Sequence, residues 1–208
     1  MAEMSRALYG FSRWLVRVGL RLKYGMTCEG AENVPAEGGV VVAANHCSYL
    51  DPPVLACAVP RPVRFMARDT LFSNAFARWY FPRVGVIPLD RTRGDVAALR
   101  TAIALLKAGN AVALYPEGTR SEDGKLHEAK GGIGFLIAKA AVPVVPVHIA
   151  GTFEAFPKGA KKFRPARIAV RIGTPIAPEE LQGAMTARND YDSVGRLVMS
   201  RIAALAPE

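Results

Sequence analysis

His46 and Asp51 are the residues of this chain best suited to acid–base chemistry. They lie in Asn45-His46-Cys47-Ser48-Tyr49-Leu50-Asp51-Pro52, directly after the apolar run 39–44. A neutral imidazole takes a proton from a hydroxyl near pH 7, and a carboxylate on its second nitrogen fixes the tautomer and steadies the imidazolium that forms. Residues at i and i+5 are not neighbours on a regular helix, so the chain must turn between them, as it does where a strand feeds a helix. Pro52 and Pro53 fit such a turn if Asp51 caps a helix whose first position is proline, and a simple helix cap is the competing reading of Asp51.

Two further blocks carry charge past the end of a strand. Gly85-Val86-Ile87-Pro88-Leu89-Asp90-Arg91 sets the Arg91 guanidinium where open α/β sheets bind ligands; a solvated surface arginine is the alternative. Leu114-Tyr115-Pro116-Glu117-Gly118-Thr119-Arg120-Ser121 packs a carboxylate, a glycine, a hydroxyl and a guanidinium together. Gly118 allows backbone N–H groups close to an anion, and Arg120 can hold a phosphate by paired hydrogen bonds; the alternative is an ordinary glycine turn. Lys130, just before Gly131-Gly132, adds a cation at a helix start. Val142-Pro143-Val144-Val145-Pro146-Val147 reads as packing, with its prolines marking a sheet edge or a special bend. Cys47 adjoins His46, but neighbouring side chains in a strand or turn point apart, which argues against a cysteine nucleophile.

The elements that must position these residues alternate. Strands are expected at 40–44, 63–67, 84–89, 111–115, 144–149 and 168–172, and helices at 6–23, 53–59, 71–81, 95–108 and 131–141, with a closing helical region at 178–205. This pattern predicts an α/β fold with a largely parallel sheet flanked by helices. In 6–23, Leu8, Phe11, Leu15, Val18 and Leu22 form one apolar stripe, with Tyr9, Trp14 and four arginines around it. Such a helix either rests in a lipid headgroup layer or packs its stripe on the core. The expected division is therefore an N-terminal amphipathic helix at 1–24 and an α/β domain at 25–208. The aromatic helix 71–81, with Arg64, Arg68, Arg78 and Arg83 near it, either holds the acyl chain or dips into the bilayer with the arginines on lipid phosphates, or is a core helix with solvated charges.

Composition narrows the class. The chain has 208 residues, half of them hydrophobic, and a net charge of +9, which points to an anionic partner. The apolar runs are too interrupted for a transmembrane span, and arginines break what would be the apolar core of a signal peptide. Three cysteines without paired spacing and three scattered histidines suggest no disulfide framework and no metal centre. Aromatic residues cluster in one helix rather than alternating with basic ones, which disfavours nucleic acid. A serine hydrolase is disfavoured because no Gly-x-Ser-x-Gly is present.

The four blocks, in this order, resemble the glycerolipid acyltransferase family, of the type that makes phosphatidic acid from 1-acylglycerol 3-phosphate. Cys28-Glu29-Gly30-Ala31-Glu32-Asn33-Val34-Pro35 and Gly173-Thr174-Pro175-Ile176 resemble its entry segment and late turn, so the similarity runs from about 25 to about 180. Tyr115 stands where phenylalanine is more usual. The resemblance implies a glycerol-3-phosphate acyltransferase-like fold, with His46 as general base and Asp51 as its orienting partner. It implies that Arg91, Glu117, Gly118, Thr119 and Arg120 bind the acceptor's glycerol phosphate; Lys130 joins them on charge grounds. It also implies direct transfer from an acyl thioester (acyl-CoA or acyl carrier protein, a co-substrate) with no metal and no other cofactor. The expected location is peripheral, at the cytoplasmic face of an anionic membrane. Competing expectations are acylation of another lysolipid, such as a lyso-ornithine lipid, and a non-catalytic basic lipid-binding protein.

Overall fold

In the computed structural model, which describes residues 4–89 and 94–207, seven strands form one sheet. They are β1 (Thr27–Glu29), β2 (Val40–Ala44), β3 (Val63–Arg68), β4 (Val86–Leu89), β5 (Ala111–Leu114), β6 (Val144–Ala150) and β7 (Ala169–Ile172). Their order across the sheet is β1-β7-β6-β2-β5-β3-β4. β2 to β6 run parallel, β7 is antiparallel to β6, and β1 is parallel to β7. The helices are α1 (Arg6–Tyr24), α2 (Asp51–Ala58), α3 (Ala75–Arg83), α4 (Gly94–Lys107), α5 (Gly131–Ala140), the single turn α6 (Thr152–Ala155), α7 (Pro178–Gly183) and α8 (Tyr191–Ala203). The largely parallel α/β architecture matches the sequence reading.

β2 is buried along its whole length because helices cover both faces of the sheet. Successive side chains of a strand point to opposite faces, and the two cores divide accordingly. Val40, Val42 and Ala44 join Leu20 and Tyr24 of α1 and Val54 and Leu55 of α2. Val41 and Ala43 join Leu106 of α4, Leu136 and Ile137 of α5, and Val198 of α8. β2 and β5 are adjacent in the sheet, yet the helices that follow them, α2 and α5, pack on opposite faces. A crevice opens between two strand ends whose connections part in this way, which is where open α/β sheets bind ligands.

Local signals explain the boundaries. Ser5 caps α1 by accepting from Leu8 N, and Gly25 closes it in the left-handed region, its N–H donating to Arg21 O. α1 packs through Tyr9, Val16, Leu20 and Tyr24. Of the stripe read from the sequence, Phe11, Leu15 and Val18 face outward and Leu22 is 84% exposed, as is the neighbouring Trp14 to a lesser degree. Among the described residues no helix is long and apolar enough to cross a membrane.

Several expectations are corrected. The helix expected at 71–81 is split, because Asn74 caps α3 by accepting from Ala77 N and leaves Leu71 and Phe72 in a preceding 3-10 turn. The closing region is two helices, the second capped by Asp190, which accepts from Ser193 N. β1, three residues long, gave no periodicity to detect. Pro146 lies inside β6, between β2 and β7, and not at an edge. Its carbonyl accepts from Gly173 N at the end of β7. A residue's N and O face the same neighbour in a regular strand, so the missing N–H is on the β7 side and costs the β2 ladder nothing.

Candidate active site

The parallel register aligns Ala43 with Leu114, so the loops after β2 and β5 leave the sheet at the same level. The first carries His46 and the second Glu117 to Arg120. The two loops are laced together: His46 N donates to Glu117 Oε2 at 2.7 Å, and Ser121 N donates to His46 O at 2.7 Å.

His46 Nδ1 and Asp51 Oδ2 are 2.8 Å apart, with Asp51 fully buried and the imidazole largely so. The same Oδ2 accepts from Cys47 N and Ser48 N, each at 2.7 Å. Three donors converge on one carboxylate oxygen, which holds the loop in the turn that brings i and i+5 together. Asp51 is therefore not the helix cap expected from the prolines. Leu50 occupies the cap position and Asp51 opens α2, its side chain folded back toward the loop before the helix. Because Nδ1 faces a carboxylate, it carries the proton of the neutral ring, and Nε2 keeps its lone pair. Such a ring is able to accept a proton from a nearby hydroxyl.

Glu117 is buried, and both its oxygens are taken, Oε2 by His46 N and Oε1 by His127 N at 3.0 Å. Burial pushes its carboxyl above the usual range, and the two backbone donors pull it back. It braces the two loops rather than offering a free acceptor. Gly118 adopts φ +66°, and a Cβ there would lie 2.8 Å from Lys130 Cδ, so glycine is what lets the Lys130 stem cross the turn. The Gly118 N–H itself donates to Tyr115 O at 2.9 Å. Thr119 is exposed at the turn. Lys130 is exposed and occupies the cap position of α5.

Arg120 lies flat on Tyr49, its guanidinium carbon 3.5 Å from the ring centroid. Its Nη1 is enclosed with no hydrogen-bond partner among the described residues. A buried donor left in this state is costly. The structure thus brings together His46, Asp51, Glu117, Gly118, Thr119, Arg120 and Lys130. Arg91 and Asp90 lie outside the described residues.

Other positioning side chains were not singled out for a role from sequence. The Tyr115 ring stacks on His46, with centroids 4.0 Å apart and planes at 19°. Asn45 pins the end of β2 to β6, donating to Ile149 O at 2.9 Å and accepting from Ile149 N at 2.7 Å. Ser48 donates to Phe156 O at 2.6 Å and accepts from Leu50 N. The signal available for these was polarity directly after a buried strand. Cys47 points away from the imidazole toward Asn45 and Gly124, and burial, then the charges of Asp51 and Glu117, pushes its thiol up to about 12. Cys47→Ala is expected to keep activity within about threefold of the parent, and the native protein to resist iodoacetamide at Cys47 near neutral pH, because a thiolate is required for alkylation. Mass spectrometry of the alkylated protein, beside turnover of the variant, checks both.

A family model described as Acyltransferase matches residues 25–150, which contain His46, Asp51, Arg91, Glu117, Gly118, Thr119, Arg120 and Lys130. The chain belongs to the acyltransferase family. Within it, a 1-acyl-sn-glycerol-3-phosphate acyltransferase of Bacillus subtilis is 30% identical over 171 residues, covering 81% of this chain and 82% of that protein. The chloroplastic 1-acyl-sn-glycerol-3-phosphate acyltransferase LPAT1 of Arabidopsis thaliana is 36% identical over 141 residues, which is 66% of this chain and 39% of that protein. The match thus covers only about two fifths of the length of the chain's chloroplast relatives. The crystal structure of the 1-acyl-sn-glycerophosphate acyltransferase PlsC from Thermotoga maritima superposes with a TM-score of 0.80 at 30% identity, covering 95% of this chain and 79% of that one. The acyltransferase fold therefore extends beyond the matched segment to α1, β7 and the C-terminal helices.

Proposed function

We propose that this protein transfers a fatty acyl group from an acyl thioester to the free hydroxyl of 1-acyl-sn-glycerol 3-phosphate, giving phosphatidic acid. The observation that carries this reading is the His46–Asp51 pair at 2.8 Å, held by three donors on one buried oxygen. His46 Nε2 accepts the hydroxyl proton as the acceptor oxygen attacks the thioester carbonyl. The new C–O bond forms, the C–S bond breaks, and the departing sulfur takes the proton from the imidazolium. Asp51 stabilises that cation, and the stacked Tyr115 face adds to it. No acyl-enzyme forms. The donor is acyl-CoA or acyl carrier protein, and the reaction draws on no metal.

Arg120 and Lys130 bind the acceptor's phosphate, and Arg91 joins them on the strength of its motif alone. Glu117 and Gly118 act through the loop, Glu117 by bracing His46 and Gly118 by admitting Lys130; Thr119 lies at the acceptor side of the turn. The Arg120 guanidinium, able to make paired hydrogen bonds to a phosphate, supports a phosphorylated acceptor over a zwitterionic one such as a lyso-ornithine lipid. Arg120→Ala is expected to raise KM for lysophosphatidate about tenfold to a hundredfold, since charge-assisted bonds to a phosphate are lost, with little change in KM for the donor. An acceptor panel read by product mass spectrometry tests the assignment. Equal use of phosphate-free and phosphate-bearing lysolipids, unaffected by Arg120→Ala, would sink it.

The protein works at a membrane surface through the outward stripe of α1. Trp14 and Phe11 are exposed among arginines, a composition suited to the headgroup layer. Phe76 and Trp79 on α3 extend the exposed apolar surface, with the Arg83 guanidinium 5.2 Å from the Trp79 ring centroid.

A further inference from the structure

Lys158, Lys161, Lys162, Arg164 and Arg167 place five cations in ten positions, between α6 and β7, and the reaction mechanism uses none of them. All five are exposed. Among the described residues only Lys158 has a salt-bridge partner, Glu122, whose Oε1 lies 2.5 Å from its Nζ. Like charges at this density repel one another, so the loop is maintained at a cost that an anionic partner would offset.

The loop is not loose chain. Ala160 N donates to Pro157 O, and Arg164 N donates to Ala155 O at 2.9 Å. Phe163 sits 4.5 Å from Phe156, ring centroid to ring centroid, yet remains 52% exposed between Lys162 and Arg164. Its base is fastened to the catalytic loop: Ser48 bridges to Pro157 and donates to Phe156 O, three residues before Asp51. Its other side meets the end of α1, where Lys23 Nζ lies 4.3 Å from the Phe163 ring centroid, next to the outward-facing Leu22.

We infer that loop 158–167 is a second membrane contact that docks on anionic lipid headgroups and turns the catalytic loop toward the bilayer. The inference rests on the reading of this protein as an enzyme acting on a membrane-dissolved lysolipid. Three features favour a lipid surface as the occupant. The cations are dispersed along an exposed loop rather than gathered on one small anion. An exposed aromatic ring sits among them, suited to the boundary between headgroups and acyl chains. The patch also runs directly into the apolar stripe of α1. Two contacts at different positions fix orientation where one helix alone would leave the molecule free to roll about its axis. The geometry would deliver the acceptor from the bilayer to a mouth already facing it.

The test uses the full chain and two kinds of vesicle, phosphatidylcholine alone and phosphatidylcholine mixed with phosphatidylglycerol. Lys161→Gln/Lys162→Gln/Arg164→Gln is expected to weaken flotation with the mixed vesicles by about a hundredfold, each cation near an anionic surface contributing roughly fivefold. The glutamate version of the same triple variant is expected to lose more, since it adds repulsion, and parent binding is expected to fall as salt rises. Turnover of a monomeric short-chain lysophosphatidate should match the parent in both variants, which shows that they are folded. Partitioning that is unchanged by the glutamate variant would overturn the inference. So would intact vesicle binding with a raised KM for the thioester donor, which would make the loop a donor-docking site. A parent protein that floats in a loop-dependent way but turns over no acceptor would refute the enzymatic reading and leave the lipid contact standing.

Discussion

Replacing His46 by alanine is expected to lower kcat by about a thousandfold or more, because neither Cys47 nor Glu117, the other candidate bases described beside it, can take the acceptor's proton. Cys47 cannot substitute, since its thiol is pushed up to about 12 and it points toward Asn45 and Gly124. Glu117 cannot either, since both its oxygens are held by backbone donors. The substitution removes a partly exposed ring whose backbone contacts to Glu117 and Ser121 remain. Tm should therefore change by only a few degrees. Acceptor KM should change little, because the phosphate site proposed above lies on the other loop. A variant retaining a tenth or more of parental kcat would remove His46 from the chemistry.

Asp51 has the second large effect, and its two natural substitutions are expected to differ. Asp51→Ala deletes the oxygen that accepts from Cys47 N, Ser48 N and His46 Nδ1, leaving two buried backbone donors without a partner. Each such group costs about 1–3 kcal/mol, so a loss of about 3 kcal/mol is expected for the pair. For a domain of this size that is a fall in Tm of roughly 10 °C, accompanied by loss of activity. Asp51→Asn keeps an oxygen in the same place and can accept the same three bonds. What it removes is the negative charge opposite the imidazolium. The asparagine amide nitrogen then falls where the buried, unpartnered Oδ1 lies, so this variant is expected to lose some Tm but less than Asp51→Ala, while kcat falls by about a hundredfold to a thousandfold. Paired calorimetry and kinetics separate the two roles; equal loss of Tm in both variants would reduce Asp51 to a structural residue.

The sequence made the parallel sheet legible because the strands of a doubly covered sheet are continuous apolar runs, as in 40–44 and 111–114, separated by amphipathic helices. Boundaries that depend on one side chain were harder. Asn74 breaks the aromatic helix only because its side chain accepts from Ala77 N. Asp51 looked like a cap because the residue preceding a Pro-Pro pair often is one. In the fold, three donors on the preceding loop outcompete the helix N-terminus for its carboxylate. The position of Pro146 was misread because a proline inside a sheet is tolerated wherever its missing N–H faces a strand that has already ended.

For the site, residue types were legible and contacts were not. His46 and Tyr115 stack because β2 and β5 lie side by side in a parallel register, although 69 positions separate them in the chain. That pairing depends on β3 and β4 being placed outside β5, a choice no local pattern carries. The clamp of Tyr49 on Arg120 and the brace of Glu117 on His46 follow from the same adjacency. The α1 stripe shows the converse limit: amphipathicity identified an apolar face, but Tyr9, Val16, Leu20 and Tyr24 on another face made the packing contact.

The most direct measurement is thiol release from oleoyl-CoA by the purified protein, with and without 1-acylglycerol 3-phosphate, beside His46→Ala. Release that depends on the acceptor, yields phosphatidic acid and vanishes in the variant is the expected result. Release at the same rate without acceptor, or in the His46→Ala protein, would contradict direct transfer by the His46–Asp51 pair.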